Sequence, residues 1–339
     1  MNKFSEKEWF IGGDLSKETI DLVVCSQSGE FQRDSKRVRN DLGGFEAMWE
    51  WLTNKSIDPK KSLFCFEHTG TYGLLLFSWL SAKEIDYCVE PALQIKRSVG
   101  MTRGKNDKID AQRIAQYAYK QRDNLNSFTF PAKALLRIKQ QLTYRDQLVR
   151  IRTSFMNSIK AHQQYEQVLN TDEISQDIKV QIEALTASID RVERQIHTII
   201  QEDKSLEKNF ILANSVKGVG LLIAAFILVS TNNFESFENG RKFSCYAGIA
   251  PFEHSSGQYK GRTRVSHLAN KRIKALLSNG ANSAIRWDPE IRSYYKRKTA
   301  EGKDHKLVVN AICCKLVNRV FAVVQRGTPF VQTYANLVN

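Results

Sequence analysis

Four acidic side chains in the first third of the chain have the types and spacing best suited to catalysis. Asp14 and Glu67 each end a short apolar run, and Asp107 and Asp110 are three residues apart, which on a helix places both carboxylates on one face. Phosphoryl transfer on DNA commonly uses two divalent ions held about 4 Å apart by hard oxygen ligands. Clustered carboxylates repel each other, so such a group is favoured mainly where a cation offsets its charge. These residues therefore predict a Mg²⁺ (or Mn²⁺) site for phosphoryl transfer.

Each of these signals also has an ordinary structural interpretation. An acidic residue at a strand end is often a turn residue, and an Asp-x-x-Asp pair near a helix start commonly stabilises the helix dipole. The combination and its surroundings favour chemistry. Glu67 ends an apolar strand just before a glycine-containing turn in FEHTGTYG, and KNDKIDA places Asp107 and Asp110 among basic residues suited to phosphates.

The elements that must position these acids alternate between strand and helix patterns, which predicts an α/β domain over residues 1–130. Two runs, Trp9 to Gly13 and Ile20 to Cys25, are predicted to form a hairpin. The further predicted elements are a helix over 43–54, a buried strand over 62–66, a helix over 72–83, a strand over 86–89 and a helix over 107–121.

Residues 131–209 are predicted to form an arm of long helices. A basic helix over 134–164 is followed by apolar residues spaced alternately four and three apart from Ile178 to Ile199, which is a coiled-coil seam. Such a seam needs a partner. The partner is either the basic helix, folded back as an antiparallel hairpin, or the same segment of a second copy. The pattern leaves both open, and the two are compatible.

The positive charge of the chain is concentrated in two blocks. The chain has 50 Lys and Arg against 36 Asp and Glu, a net charge of +14. Residues 130–170 hold 7 basic and 2 acidic side chains and residues 240–339 hold 18 and 5, whereas residues 1–129 hold 19 and 18. An even spread would serve solubility equally well, so the blocks favour salt-dependent binding to nucleic acid. The second block lies in a mostly helical third unit, predicted over residues 210–339.

Targeting signals and membrane spans are not predicted. The most apolar stretch, Val219 to Val229, has 11 residues, short of the roughly 20 that cross a bilayer. The N-terminal residues lack the apolar segment of a secretory signal. The six cysteines show neither C-x-x-C pairs nor ligand-like pairing with histidines, so we expect core thiols. We therefore expect a cytoplasmic protein with no membrane partner.

Three motifs, IGGDLSK, FEHTGTYG and KNDKIDA, occur in this order within the first 120 residues. They resemble the RuvC-like DEDD domain of an insertion-sequence transposase family, whose members act as RNA-guided (bridge RNA) recombinases and include pilin-gene invertases. The resemblance implies an RNase H-like (RuvC-like) fold for residues 1–130, a Mg²⁺ site formed by Asp14, Glu67, Asp107 and Asp110, and a prokaryotic, nucleoid-associated protein.

The resemblance extends into the C-terminal part, where the family supplies a catalytic serine. In the matching stretch, FSCYAGIAPFEHSSGQYKGR, the Ser-Gly step places the nucleophile at Ser256, with Ser255 as the alternative. A hydroxyl is a poor nucleophile near neutral pH unless a base, metal or positive field activates it. Nearby cations that would help are Lys260, Arg262 and Arg264. Without the resemblance, a glycine-rich turn whose serines cap backbone groups is the favoured interpretation.

Together these features predict a Mg²⁺-dependent, RNA-guided DNA recombinase in which Ser256 attacks DNA and forms a covalent phosphoserine link. Its expected partners are double-stranded target and donor DNA, a structured guide RNA, and further copies of itself, as a dimer that assembles into a tetramer. The alternatives are a RuvC-like Holliday-junction resolvase or nuclease that uses metal-activated water, and a non-catalytic nucleic-acid scaffold. The predicted nucleic-acid contacts are Lys17, Lys105, Arg137, Arg145, Arg152, Lys217, Lys260, Arg262, Arg264, Lys271 and Arg272.

Overall fold

The computed structural model describes residues 4–99, 107–169, 172–252 and 270–331, together with the backbone of residues 255–256, 259–260 and 264–265. Two compact units make up the chain, Met1–Phe130 and Pro131–Asn339. The first unit mixes strands and helices, and the second is largely helical, as the change in sequence pattern predicts.

A five-stranded mixed sheet forms the centre of the first unit. Its strands, in spatial order β3-β2-β1-β4-β5, are β1 (Trp9–Leu15), β2 (Thr19–Ser26), β3 (Lys36–Arg39), β4 (Ser62–Glu67) and β5 (Tyr87–Glu90). The pairs β1–β2 and β2–β3 are antiparallel, whereas β1–β4 and β4–β5 are parallel. The predicted hairpin and the two later strands are confirmed. The edge strand β3 was missed, because its sequence KRVR offers one buried valine among cations.

Helices cover both faces of this sheet. On one face, α1 (Leu42–Asn54) and α2 (Leu74–Ala82) pack against the sheet through an aromatic and aliphatic core. On the other face lies α4 (Asp107–Gln121), which packs through Ile114, Ala115 and Ala118. These three predicted helices are confirmed to within two residues at each end. A further helix, α3 (Ala92–Val99), was not predicted from the sequence.

Strand β1 and helix α4 approach each other most closely at Gly12. A Cβ added to Gly12 would lie 2.2 Å from the carbonyl oxygen of Ala111 and 2.2 Å from the amide nitrogen of Ala115, and neither backbone atom can rotate away. Only glycine therefore fits here. Because side chains two residues apart on a strand share a face, Asp14 lies on the same side of the sheet as α4.

We expect Gly12→Ala to push α4 away from β1 and to lower both stability and strand cutting. Overpacking in a core typically costs about 1–3 kcal/mol, and here a whole helix must move. Urea unfolding and a DNA-cutting assay would measure the two effects. Gly43→Ala is the matched control, because its added Cβ would meet only Asp41 Oδ1, at 3.6 Å. Wild-type stability and cutting in Gly12→Ala would contradict the close approach.

The second unit is built from helices. They are α5 (Lys133–Leu169), α6 (Asp172–Gln201), α7 (Lys204–Asn214), α8 (Leu221–Ser230), α9 (Gly240–Tyr246), α10 (Lys271–Trp287), α11 (Pro289–Ala300) and α12 (His305–Arg326). Between α9 and α10, short strands pair in two ladders, β6 (Pro251–Phe252) with β9 (Arg264–Val265) and β7 (Ser255–Ser256) with β8 (Tyr259–Lys260).

Helices α5 and α6 form an antiparallel hairpin. Arg137 near the start of α5 contacts Glu202 after α6, and Arg145, further along α5, contacts Glu193, earlier in α6. Of the two partners left open by the heptad pattern, the structure therefore shows the basic helix of the same chain. The buried apolar residues of the seam are Ile178, Ile189, Val192, Ile196 and Ile199, and those of α5 are Leu135, Ile138, Leu142 and Leu148.

One hydrophobic core joins the base of this hairpin to the helices that follow. Phe210, where the third unit was predicted to begin, is buried in that core. In the described part of the chain, α12 is the one helix long and apolar enough to span a membrane by length and composition, but residues such as Ile312 and Leu316 are buried within the unit. The fully buried cysteines of the chain are Cys25, Cys65, Cys88 and Cys313.

Candidate active site

Two of the predicted acids lie side by side at the ends of parallel strands. Gly13 of β1 is in register with Phe66 of β4, so Asp14 and Glu67 follow as neighbours. Both lie on the α4 side of the sheet, because Phe10 of β1 and Leu63 of β4, four residues earlier on each strand, are buried beneath α4. The parallel pairing of β1 with β4 thus brings the two carboxylates to one edge of the sheet.

The other two predicted acids come from helix α4. Asp107 is its first residue and Asp110 lies one turn later. The contact at Gly12 fixes α4 over β1, so the N-terminal turn of the helix lies above the strand end that carries Asp14. The positive end of the helix dipole also favours negative charge here.

The pKa of Asp14 depends on the charges of the other three acids. The pKa of Asp14 is raised from 3.8 to about 6, first by burial and then by the negative charges of Asp110, Asp107, Glu67 and, last, Asp21. Asp21 lies directly opposite Asp14 in the antiparallel β1–β2 pair. The structure therefore places all four predicted acids in one electrostatic neighbourhood and adds a fifth, Asp21.

Two arginines in this neighbourhood were not predicted. Arg37 of β3 donates from Nε to both carboxylate oxygens of Asp21, at 3.0 Å each, and from Nη2 to Oδ2 of Asp107, at 2.6 Å. Arg113 donates to Oδ1 of Asp110 at 2.7 Å, one turn away on α4. The sequence signal for Arg37 is weak, since it depends on recognising β3 as a strand.

Hard carboxylate oxygens are the donors that Mg²⁺ and Mn²⁺ prefer, and mutual repulsion at Asp14 is what a divalent cation would offset. The donor set therefore fits such an ion. Within the described residues, however, no group of three or more His, Cys, Asp or Glu side chains is arranged to hold a metal ion. Two of the four carboxylates, Asp107 and Asp110, are instead engaged by guanidinium groups.

Ser256 lies in the second unit. It belongs to β7, where its backbone pairs with Tyr259, and the neighbouring Ser255 pairs with Lys260. Lys260 and Arg264 lie in β8 and β9. The side chains of all these residues, and the whole of Arg262, are outside the described part of the chain.

The predicted phosphate-binding residues differ in their surroundings. Lys17, Lys217 and Lys271 are exposed, and Lys105 lies outside the described residues. The arginines of α5 face α6: Arg137 and Arg145 form ion pairs, and Arg152 donates to Thr186 at 3.2 Å. Arg272 of α10 pairs with Asp146 of α5 and lies over the ring of Phe226. These four arginines therefore have a structural role within the unit.

Two protein-family models match the chain. Residues 11–167 match the DEDD domain model of IS110 transposases, described as Transposase, and residues 212–296 match the model described as Transposase IS116/IS110/IS902 family. The first match contains the four acids, and the second contains Ser256. The chain belongs to the IS116/IS110/IS902 family of transposases. The transposase is thus an enzyme that cuts and rejoins DNA.

The relatives of this transposase cover different shares of its length. The pilin gene-inverting protein of Moraxella bovis is 25% identical over 333 residues, which are 95% of this chain and 97% of that protein. The transposase for insertion sequence element IS1111A of Coxiella burnetii is 27% identical over 203 residues, 54% of this chain and 55% of that protein. The uncharacterized 43.6 kDa protein of insertion element IS110 from Streptomyces coelicolor is 31% identical over 114 residues, 34% of this chain and 28% of that protein.

Proposed function

We propose that this insertion-sequence transposase is a Mg²⁺-dependent, RNA-guided recombinase that cuts and rejoins DNA through a covalent serine–DNA intermediate. The observation that carries the proposal is the arrangement of the acids: Asp14 and Glu67 follow paired residues at the ends of two parallel strands, and Asp107 and Asp110 lie in the first turn of α4. An RNase H-like fold for the first unit is supported by the strand order β3-β2-β1-β4-β5, with β2 antiparallel to β1 and β4 parallel to it.

In this proposal, Asp14, Glu67, Asp107 and Asp110 hold the metal. When bound, Mg²⁺ would polarise the phosphate and stabilise the negative charge of the transition state. The Oγ of Ser256 forms a bond to phosphorus, the bond from phosphorus to one sugar oxygen breaks, and that oxygen leaves as a hydroxyl with the proton lost by serine. Attack by the sugar hydroxyl of another strand reverses these steps and regenerates the serine. The energy of the phosphodiester is conserved, so no nucleotide cofactor is needed.

The partners of this reaction are target and donor duplexes and a structured guide RNA. The 18 basic and 5 acidic side chains of residues 240–339 support binding to phosphates. The full-length similarity to a pilin gene-inverting protein supports action on duplex DNA segments. Base pairing by the guide RNA would choose the sequence, which leaves the protein to bind backbone and shape. Two strand exchanges need several serines, so we propose a dimer that assembles into a tetramer on two duplexes in the cytoplasm.

The decisive experiment traps the serine intermediate. With Mg²⁺ and labelled DNA, the wild-type protein is expected to give a protein–DNA adduct that survives denaturation. Ser256→Ala should form none, and Ser255→Ala is the matched control that should still form it. If Ser255→Ala forms no adduct and Ser256→Ala still forms one, the nucleophile is Ser255. Cut DNA without an adduct in the wild type would favour the resolvase-like alternative, in which water attacks.

The guide RNA is tested separately. The protein is purified from cells that also carry the DNA flanking its gene, and the bound RNA is sequenced. We expect one structured RNA species from the flanking DNA, and we expect RNase treatment to abolish adduct formation. Adduct formation that survives RNase treatment would contradict RNA guidance while leaving the serine chemistry intact.

A further inference from the structure

Arg37 connects an edge strand of the sheet to the start of helix α4. In the β2–β3 ladder it is directly opposite Asp21, and its Nε donates to both oxygens of that carboxylate at 3.0 Å. Its Nη2 reaches Oδ2 of Asp107 at 2.6 Å. One guanidinium thus joins an acid beside Asp14 to one of the four proposed metal ligands.

The two ends of this bridge are held unequally. The Asp21 side chain is only 13% exposed, and both its position and its bonds to Arg37 are fixed by strand pairing. The Asp107 side chain is 62% exposed and stands at the first residue of a helix. If the bridge opens, it therefore opens at Asp107, and the guanidinium stays on Asp21.

The two acids of α4 and the two acids at the strand ends differ in their ion pairs. Asp107 is paired with Arg37, and Asp110 with Arg113. Asp14 and Glu67 have no ion pair among the described residues. Each acid that α4 contributes thus already has a cationic partner, whereas the described residues provide none to the two acids at the strand ends.

We propose that Arg37 is a positioning residue that holds Asp107 when no metal is bound and competes with the divalent ion for that carboxylate. This inference rests on the proposed metal site. The guanidinium occupies one acceptor position of the Asp107 carboxylate, and its positive charge repels a metal cation nearby. Arg37 thus ties the start of α4 to the sheet and lowers the affinity of the site for metal.

The test is a Mn²⁺ titration of the full-length protein without nucleic acid, followed by calorimetry or by the signal of free Mn²⁺. Arg37→Gln is expected to bind Mn²⁺ about fivefold more tightly than the wild type, because one positive charge beside a solvent-exposed carboxylate is removed. In EDTA the same variant should unfold at a lower temperature, because the tie to Asp107 is lost. Arg39→Gln is the matched control: Arg39 lies on the same strand and pairs with Asp41, outside the acid group. It should leave the Mn²⁺ affinity unchanged.

The remaining outcomes separate this inference from the proposed function. Mn²⁺ binding that is equal to or weaker than wild type in Arg37→Gln would overturn competition, and a weaker affinity would mean that Arg37 orients Asp107 toward the metal. The metal site itself would stand in that case. If the wild type binds no Mn²⁺ and Asp14→Asn changes nothing, the proposed metal site fails and the inference fails with it.

Discussion

Asp14→Asn is expected to abolish strand cutting and, in EDTA, to make the protein more stable. Burial and, after it, the like charges around it raise the pKa of the wild-type carboxylate to about 6, so neutralising this side chain removes both a desolvation cost and a repulsion. The same change removes a ligand from the proposed metal site. Loss of residues that only support a metal ligand lowers activity about 10–100-fold, so loss of a ligand should lower cutting more than about 100-fold.

The measurement pairs a DNA-cutting assay with thermal unfolding in EDTA and in Mn²⁺. Wild type should gain stability on adding Mn²⁺, whereas Asp14→Asn should gain little. Asp34→Asn serves as the matched control, since Asp34 is an exposed acid of the same unit that pairs with Lys55. If Asp14→Asn cuts DNA as well as the wild type, Asp14 is not part of the active site. Reduced stability in EDTA would show that its charge is compensated in the folded protein.

The pH dependence of stability gives an independent check on the same residue. Because the pKa of Asp14 is about 6 when folded and 3.8 when exposed, the folded state binds more protons between these values. Its contribution to stability is therefore full below about pH 4 and is lost as the pH rises through 6. In EDTA, wild type should lose stability relative to Asp14→Asn over this window. A difference between the two proteins that does not change from pH 4 to 7 would contradict the raised pKa.

The acids of the candidate site were predictable from the sequence, whereas the residues that surround them were not. Asp14 and Glu67 each end a short apolar run, and such runs indicate in the sequence where a buried strand stops. The overlap that makes Gly12 indispensable involves α4, which begins about 95 residues later, so only the folded chain reveals it. Arg37 was missed because β3 is a short, polar strand at the edge of the sheet. Its sequence, with one buried residue among cations, looks the same as that of a loop.

The arm shows a different limit. The heptad seam was recognised from spacing alone, but an apolar stripe suits a partner from the same chain as well as from another, so the antiparallel hairpin could not be chosen. In the sequence, the basic block 130–170 is followed by an acidic segment, residues 171–210, which holds 5 basic and 9 acidic side chains. Folding places them face to face, as Arg145 and Glu193 show at 2.6 Å. Part of the positive charge assigned to nucleic acid is thereby neutralised within the arm.

The C-terminal helices depend on one buried ion pair. Asp288 is fully buried and accepts from the amide N–H groups of Glu290 and Ile291 at the start of α11. Arg319 of α12 donates to its Oδ2 at 2.8 Å, contacts the Glu290 carboxylate at 2.6 Å and lies over the ring of Phe330. The carboxylate that caps one helix is thus charge-compensated by the next.

Arg319→Leu is accordingly expected to lower the free energy of unfolding by about 3–5 kcal/mol, because it leaves a buried carboxylate without its cation. Asp288→Asn should lower the free energy of unfolding by less. Asparagine is an equally good helix cap, and it places no uncompensated charge in the interior. Arg297→Leu is the matched control: its side chain is 67% exposed and 4.0 Å from Glu301, a pair worth at most about 1 kcal/mol. Urea unfolding compares the three variants. A loss in Arg319→Leu no larger than in Arg297→Leu would mean that the two helices are joined by apolar packing instead of by charge.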